Sequence, residues 1–149
     1  MNEVNEVRSY NEGTSNYSQG HKWQVWDIWI KFKVDNPFDS DLIKRVCRIK
    51  KSDGRLLDLK KIRHISLERI RQFQNDENVF TVSYEEPKDI TLAEMVADYD
   101  LSMDDFEILN KILYTNADDR VSDYESIVEI CDKMIKKLED ERNNNFFDK

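Results

Sequence analysis

Glycine, proline, cysteine and histidine are scarce in this chain of 149 residues, which has three, two, two and two of them. An average protein has about 7% Gly and 5% Pro. So few glycines exclude a glycine-rich phosphate loop, and neither G-x-G-x-x-G nor G-x-x-x-x-G-K-[ST] occurs. Two cysteines are too few for a Cys₄ zinc site. We therefore predict no nucleotide cofactor and no metal site.

Long apolar runs are also missing, since none approaches the 18 residues that a membrane span requires. The first ten residues are polar and include Glu3 and Glu6, which is not the pattern of a signal peptide. We therefore expect an intracellular, cytoplasmic protein without a membrane partner. If the source is viral, the host cytoplasm is the expected compartment. The length suits a single domain.

Charge is present in abundance but is distributed unevenly along the chain. The formal net charge is −8. Residues 38–74 hold eleven Lys and Arg against five Asp and Glu, a net charge of +6. Residues 75–149 hold eight Lys and Arg against twenty-one Asp and Glu, a net charge of −13. Such asymmetry indicates either a macromolecular partner or two oppositely charged faces that attract each other within the fold.

Alternation of apolar and polar residues predicts that the chain begins with strands. Residues 1–21 are polar and read as a disordered or partner-ordered arm. In 22–35 the even positions from 26 to 34 are all apolar, whereas the charged residues Asp27, Lys31, Lys33 and Asp35 fall on odd positions. This alternation predicts a strand ending at Asn36-Pro37. A second alternating stretch predicts a strand over 79–84.

The segment between these two predicted strands has two interpretations. Asp53-Gly54 is a typical turn sequence, which favours a hairpin with strands near 43–51 and 55–60. The apolar residues of the first of these stretches also fit a helix, and this alternative stays open. After the hairpin, Ser66 is predicted to cap a short helix.

Helical spacing replaces alternation after Pro87. Thr91 and Ser102 are predicted caps of two helices. The capping box Ser122-x-x-Glu125 opens a third helix, predicted over 123–142. Strands followed by helices predict one α+β domain over 22–142, with a three- or four-stranded antiparallel sheet, a three-helix layer and a frayed tail over 143–149.

The acidic C-terminal half supplies the first candidate site. The two-helix unit over 91–113 is spaced like a helix-turn-helix, but its second helix begins with carboxylates that would repel phosphate. Acidic helices suit a partner with a basic surface, so we predict a non-enzymatic inhibitor, adaptor or assembly subunit that binds protein, such as a viral accessory protein. The predicted contacts are Asp98, Asp100, Asp104, Asp105 and Glu107.

Two other functional classes remain as alternatives. The first is nucleic-acid binding by the basic segment 44–71. A turn at Asp53-Gly54 would present its cations to the phosphates, and tryptophans beside lysines can stack on bases. Its predicted contacts are Arg48, Lys50, Lys51, Arg55, Trp23 and Trp29. A metal-dependent nuclease is the second, on the E-x-K sequence of Glu86 and Lys88, with Asp58 or Asp76 as the further carboxylate. We favour the binding protein and predict no catalytic residues.

Overall fold

Helices make up the regular structure of this protein. A computed structural model describes residues 22–48, 52–77 and 83–147, and no strand occurs within those ranges. The helices are α1 (Val25–Phe32), α2 (Pro37–Cys47), α3 (Ser52–Gln74), α4 (Leu92–Met95), α5 (Met103–Leu113) and α6 (Arg120–Phe147). The predicted α+β fold with an antiparallel sheet is therefore wrong.

The predicted strand over 22–35 is instead occupied by α1. Val25, Ile28 and Phe32 are buried and lie three and four residues apart, as the inner face of a helix requires. Trp26 and Ile30 lie on the outer face and are exposed. The even-numbered apolar positions therefore belong to both faces of α1, and their alternation does not reflect the two sides of a sheet.

Local capping fixes both ends of α1. At its start the Gln24 backbone N–H donates to the Asp27 carboxylate at 2.8 Å, and the Asp27 backbone N–H donates to the Gln24 carbonyl at 3.0 Å. Lys33 ends it in the left-handed conformation, with φ 56° and ψ 46°. The Asn36-Pro37 pair opens α2, because the Asn36 side chain accepts hydrogen bonds from the next two free backbone N–H groups and proline occupies the first turn.

The predicted hairpin is also wrong, because α2 and α3 replace its two strands. Gly54 lies in the first turn of α3 and does not form a hairpin turn. Beyond it, the buried residues of α3 recur at helical spacing: Leu56, Leu59, Ile62, Ser66, Arg69 and Gln72. Ser66 caps nothing, because it lies inside α3 and donates a hydrogen bond to the Ile62 carbonyl at 2.8 Å.

Most of the predicted strand over 79–84 lies outside the described residues. Its last two residues, Ser83 and Tyr84, belong to an irregular segment that continues to α4. Ion pairs join this segment to α1 and its C-cap, with Lys31 to Asp89 at 2.6 Å and Lys33 to Glu85 at 3.2 Å.

Two of the three predicted C-terminal caps are confirmed. The Thr91 hydroxyl accepts a hydrogen bond from the Glu94 backbone N–H at 3.1 Å, and Ser102 forms a full capping box at the start of α5. The third is wrong, since α6 begins at Arg120, two residues before Ser122. Asn116 accepts from the Asp119 backbone N–H and so turns the chain just ahead of α6.

The two longest helices, α3 and α6, form the centre of the fold and pack extensively on each other. They run antiparallel, because Arg63 of α3 binds Asp132 of α6 at 2.6 Å and Arg69 binds Tyr124 at 3.2 Å. Helices α2 and α5 cover this pair, and α1 packs on α2. The inner face of α6 meets this core with Tyr124, Ile127 and Cys131, all buried.

Candidate functional site

Two of the five predicted acidic contacts are committed to the fold. Asp105 is buried, completes the Ser102 capping box and forms an ion pair with Arg55 of α3. Asp104 is half-buried and accepts a hydrogen bond from Lys133 of α6 at 3.0 Å. Both carboxylates therefore hold α5 against its neighbours, and Asp105 is removed from the candidate surface.

The other predicted acidic contacts are exposed. Asp98 accepts a hydrogen bond from the Lys22 backbone N–H at 2.8 Å, which joins it to the start of α1. Asp100 and Glu107 lie on either side of Met103, which is 90% exposed at the first position of α5. Residues four apart on a helix share a face, so Glu107 is next to Met103. Met103 is therefore an exposed apolar side chain beside the Glu107 carboxylate, and exposed Asp100 lies three residues before it in the chain. We call Asp100, Met103 and Glu107 the α5 acidic surface.

The basic segment is largely neutralised by the protein's own carboxylates. Arg48, a predicted nucleic-acid contact, and Arg45 both reach Asp58, at 3.5 and 3.3 Å, and Asp58 is only 2% exposed. Arg55 is also paired internally, and burial lowers its pKa, an effect that the nearby Asp58 opposes. The predicted contacts Lys50 and Lys51 lie outside the described residues.

The same neutralisation extends along α3. Lys60 pairs with Glu139 at 3.5 Å and Arg63 pairs with Asp132, both carboxylates belonging to α6. These pairs join the basic segment to the acidic half of the chain. They therefore fit the interpretation in which the two charged regions attract each other within one fold.

The two tryptophans predicted to stack on nucleic acid bases pack against the core. Trp23 and Trp29 are half-buried and contact the hydrophobic core cluster. The backbone carbonyl of Trp23 accepts a hydrogen bond from the Tyr99 hydroxyl at 2.7 Å. The exposed tryptophan of α1 is Trp26.

The nuclease residues do not form a metal centre. Asp58 is buried beneath two arginines, and Glu86 is an exposed residue that accepts a hydrogen bond from Tyr114 at 3.4 Å. Asp76 lies just beyond the end of α3. Among the residues that the structure describes, no group of three or more His, Cys, Asp or Glu side chains could hold a metal ion.

A buried polar cluster around Asp39 is the feature that sequence reasoning missed. Asp39, Arg69 and Arg120 all have 0% exposure. Arg69 approaches the Asp39 carboxylate at 3.4 Å and Arg120 at 3.5 Å. The hydroxyl of Tyr124 donates to the same carboxylate at 2.5 Å, and the hydroxyl of Tyr84 also donates to it. One carboxylate thus serves two guanidinium groups and two phenols.

The cluster has two guanidinium groups but one carboxylate, and other groups around Arg120 stabilise the second positive charge. Arg120 donates to the Ile112 carbonyl at 2.8 Å, in the last turn of α5, where the helix dipole is negative. Its guanidinium also lies 5.0 Å from the ring centre of Tyr84. Burial, followed by the charge of Asp39, raises the pKa of Tyr84 and Tyr124, so both remain hydrogen-bond donors. The cluster joins α2, α3 and α6, and its enclosed position makes it structural.

Comparison with known proteins gives no relative. Protein-family models, curated proteins and solved structures were all searched, and none matches this chain. In the described part of the chain, no helix is long and apolar enough to cross a membrane.

Proposed function

We propose that this protein is a non-catalytic binding protein that occupies a basic surface of another protein through the α5 acidic surface. The observation that carries the proposal is the exposure of Met103 beside Glu107 on α5, with exposed Asp100 three residues earlier in the chain. Protein interfaces combine an apolar centre with a polar rim, and methionine adapts to irregular partner surfaces. The rim carboxylates would steer a cationic partner and speed its association.

The distribution of ion pairs supports a protein partner over nucleic acid. Arg55, Lys60 and Arg63 of α3 are paired internally, so they would have to leave carboxylates before binding phosphate. The net charge of −8 also repels a nucleic acid. Cytoplasmic action is part of the proposal, because both cysteines are free and buried, as in proteins of reducing compartments.

Charge reversal on the α5 acidic surface tests the proposal. The Asp100→Lys/Glu107→Lys variant should retain its fold, because both side chains are exposed. Its control, Asp118→Lys/Glu125→Lys, makes the same charge change on exposed residues near the opposite end of α5. Chemical cross-linking in the source cells, followed by mass spectrometry, identifies partners of the wild type. We then expect a purified partner to bind the first variant at least about tenfold more weakly, with less salt dependence.

Two results would contradict the proposal. Equal loss in both variants would show a general charge effect and no defined surface. Copurification of nucleic acid with the wild type, read from the ratio of absorbance at 260 and 280 nm, would favour the nucleic-acid alternative. Asp105 is left out of the variant, because its replacement would disrupt a cap and an ion pair.

A further inference from the structure

The outer face of α1 carries a second apolar feature, formed by Trp26, Trp29 and Ile30. We call these three residues the α1 strip. Ile30 is 70% exposed and Trp26 is 37% exposed, while Trp29 is half-buried and packs against the core. Adjacent exposed aromatic and aliphatic side chains on one helix face are typical of binding sites.

The acidic residues adjoin one end of this strip. Lys22, one turn before Trp26, donates its backbone N–H to Asp98. The next residue, Trp23, is held by the Tyr99 hydroxyl. Asp98 and Asp100, on either side of Tyr99, are exposed at this junction. These two hydrogen bonds place Asp98 and Asp100 near the start of α1, one turn before Trp26.

Charge decides which occupant suits the α1 strip. A second copy of this chain would bring its own carboxylates and a net charge of −8 to the same place, which is repulsive. A partner with cations around an apolar patch would satisfy both the strip and its acidic end. We infer that the α1 strip is the apolar anchor for such a partner, an inference that rests on the proposed function and extends its surface onto α1.

Two synthetic helical peptides of 20 residues (about five turns) provide the probes. Both carry lysines along one face. The amphipathic peptide carries leucines on the other face, and the polar peptide carries glutamines there. Calorimetry with the full-length protein measures both affinities, and the indole N–H resonances of the three tryptophans report where each peptide binds. We expect the amphipathic peptide to bind about tenfold more tightly and to shift the Trp26 resonance.

Variants of the strip have a matched control. Ile30→Ser and Trp26→Ala should each remove most of the preference for the amphipathic peptide, with a loss of about fivefold or more. Leu57→Ser is the control, since Leu57 is also 70% exposed but belongs to α3. It should bind both peptides as the wild type does. Thermal melts of all three variants confirm that they are folded.

The outcomes separate this inference from the proposed function. If Asp100→Lys/Glu107→Lys weakens both peptides while the strip variants change neither affinity, the inference fails and the proposed function stands. If only the strip variants weaken binding, the acidic surface is not used and the proposed function fails. A dimer in sedimentation equilibrium that Ile30→Ser abolishes would assign the strip to self-association and overturn the inference. Contacts between Trp26 and residues 1–21 in NMR spectra would overturn it in favour of the chain's own arm.

Discussion

Asp39 is a carboxylate on which two arginines and two tyrosines converge. It is fully buried and faces Arg69, Arg120, Tyr84 and Tyr124. Removing one partner of a buried ion pair is costly, because the charge left behind has lost both water and its counter-ion. Here two guanidinium groups depend on one carboxylate.

Asp39→Asn should therefore lower the free energy of unfolding by about 3–5 kcal/mol. Asp118→Asn, an exposed control, should change it by less than about 0.5 kcal/mol. Urea denaturation followed by circular dichroism measures both. Combining Asp39→Asn with Arg120→Met should cost less than the sum of the two single changes, since the double variant removes one stranded charge. A loss below about 1 kcal/mol for Asp39→Asn would show that the cluster is not a coupled unit.

The helix α1 has a sequence that alternates like that of a strand, but the two ends of the segment have the geometry of helix caps. Lys33 ends α1 with a positive φ of 56°. A side chain with a β-carbon is disfavoured in that conformation, whereas glycine adopts it without cost. A strand interior would instead be weakened by glycine.

Lys33→Gly should raise the free energy of unfolding by about 0.5–1 kcal/mol. Lys31→Gly places the same change inside α1 and should lower it by about 1 kcal/mol, with the exposed ion pair to Asp89 adding little. Thermal and urea denaturation of the two variants should move in opposite directions. Destabilisation by both would contradict the left-handed cap at Lys33.

Sequence signals that act over a few residues predicted the structure correctly, and signals that depend on distant residues did not. Caps such as Thr91 and Ser102 act within three residues, so their prediction succeeded. The alternation in 22–35 predicted the wrong structure, because a helix with apolar residues on both of its faces produces the same alternation. The Asp53-Gly54 turn signal was outweighed by the long apolar stripe of α3, a tertiary effect.

The α5 acidic surface was partly predictable, because its charge is visible in the local sequence whereas the burial of its neighbours is not. Sequence pattern identified an acidic region that contains Asp100 and Glu107. It did not separate them from Asp105, because burial of that carboxylate depends on Arg55, fifty residues earlier in the chain. The Asp39 cluster was not predictable, since its members come from distant segments and no spacing connects them.

At the level of the whole molecule, the core contains both cysteines. Cys47 of α2 and Cys131 of α6 are fully buried, and burial raises the pKa of each thiol from 9.0 to about 12. The folded protein therefore holds these two protons at a pH where the unfolded chain releases them. Their contribution to stability is complete below pH 9 and is lost as the pH rises from 9 towards 12.

Stability should accordingly fall between pH 9 and 10, with each thiol contributing a slope that approaches about 1.4 kcal/mol per pH unit. Tyr84, Tyr99 and Tyr124, whose pKa values are also raised by burial, add to the loss above pH 10. Urea denaturation at several pH values from 8 to 10 measures the slope. The Cys47→Ala/Cys131→Ala variant should give a flatter curve, even if its stability at pH 8 is lower. An unchanged slope would show that the thiols are accessible.

The Asp39 cluster also has a consequence for synthesis on the ribosome. Its bonds join residues 30 to 85 positions apart, and Tyr124 is the last member to emerge. At about 5–20 residues per second, the ribosome adds the 85 residues after Asp39 in roughly 4–17 s. Throughout that interval the nascent chain contains Asp39 without Arg120 and Tyr124. The cluster that joins α2, α3 and α6 therefore cannot form until Tyr124 has been added and has left the ribosome.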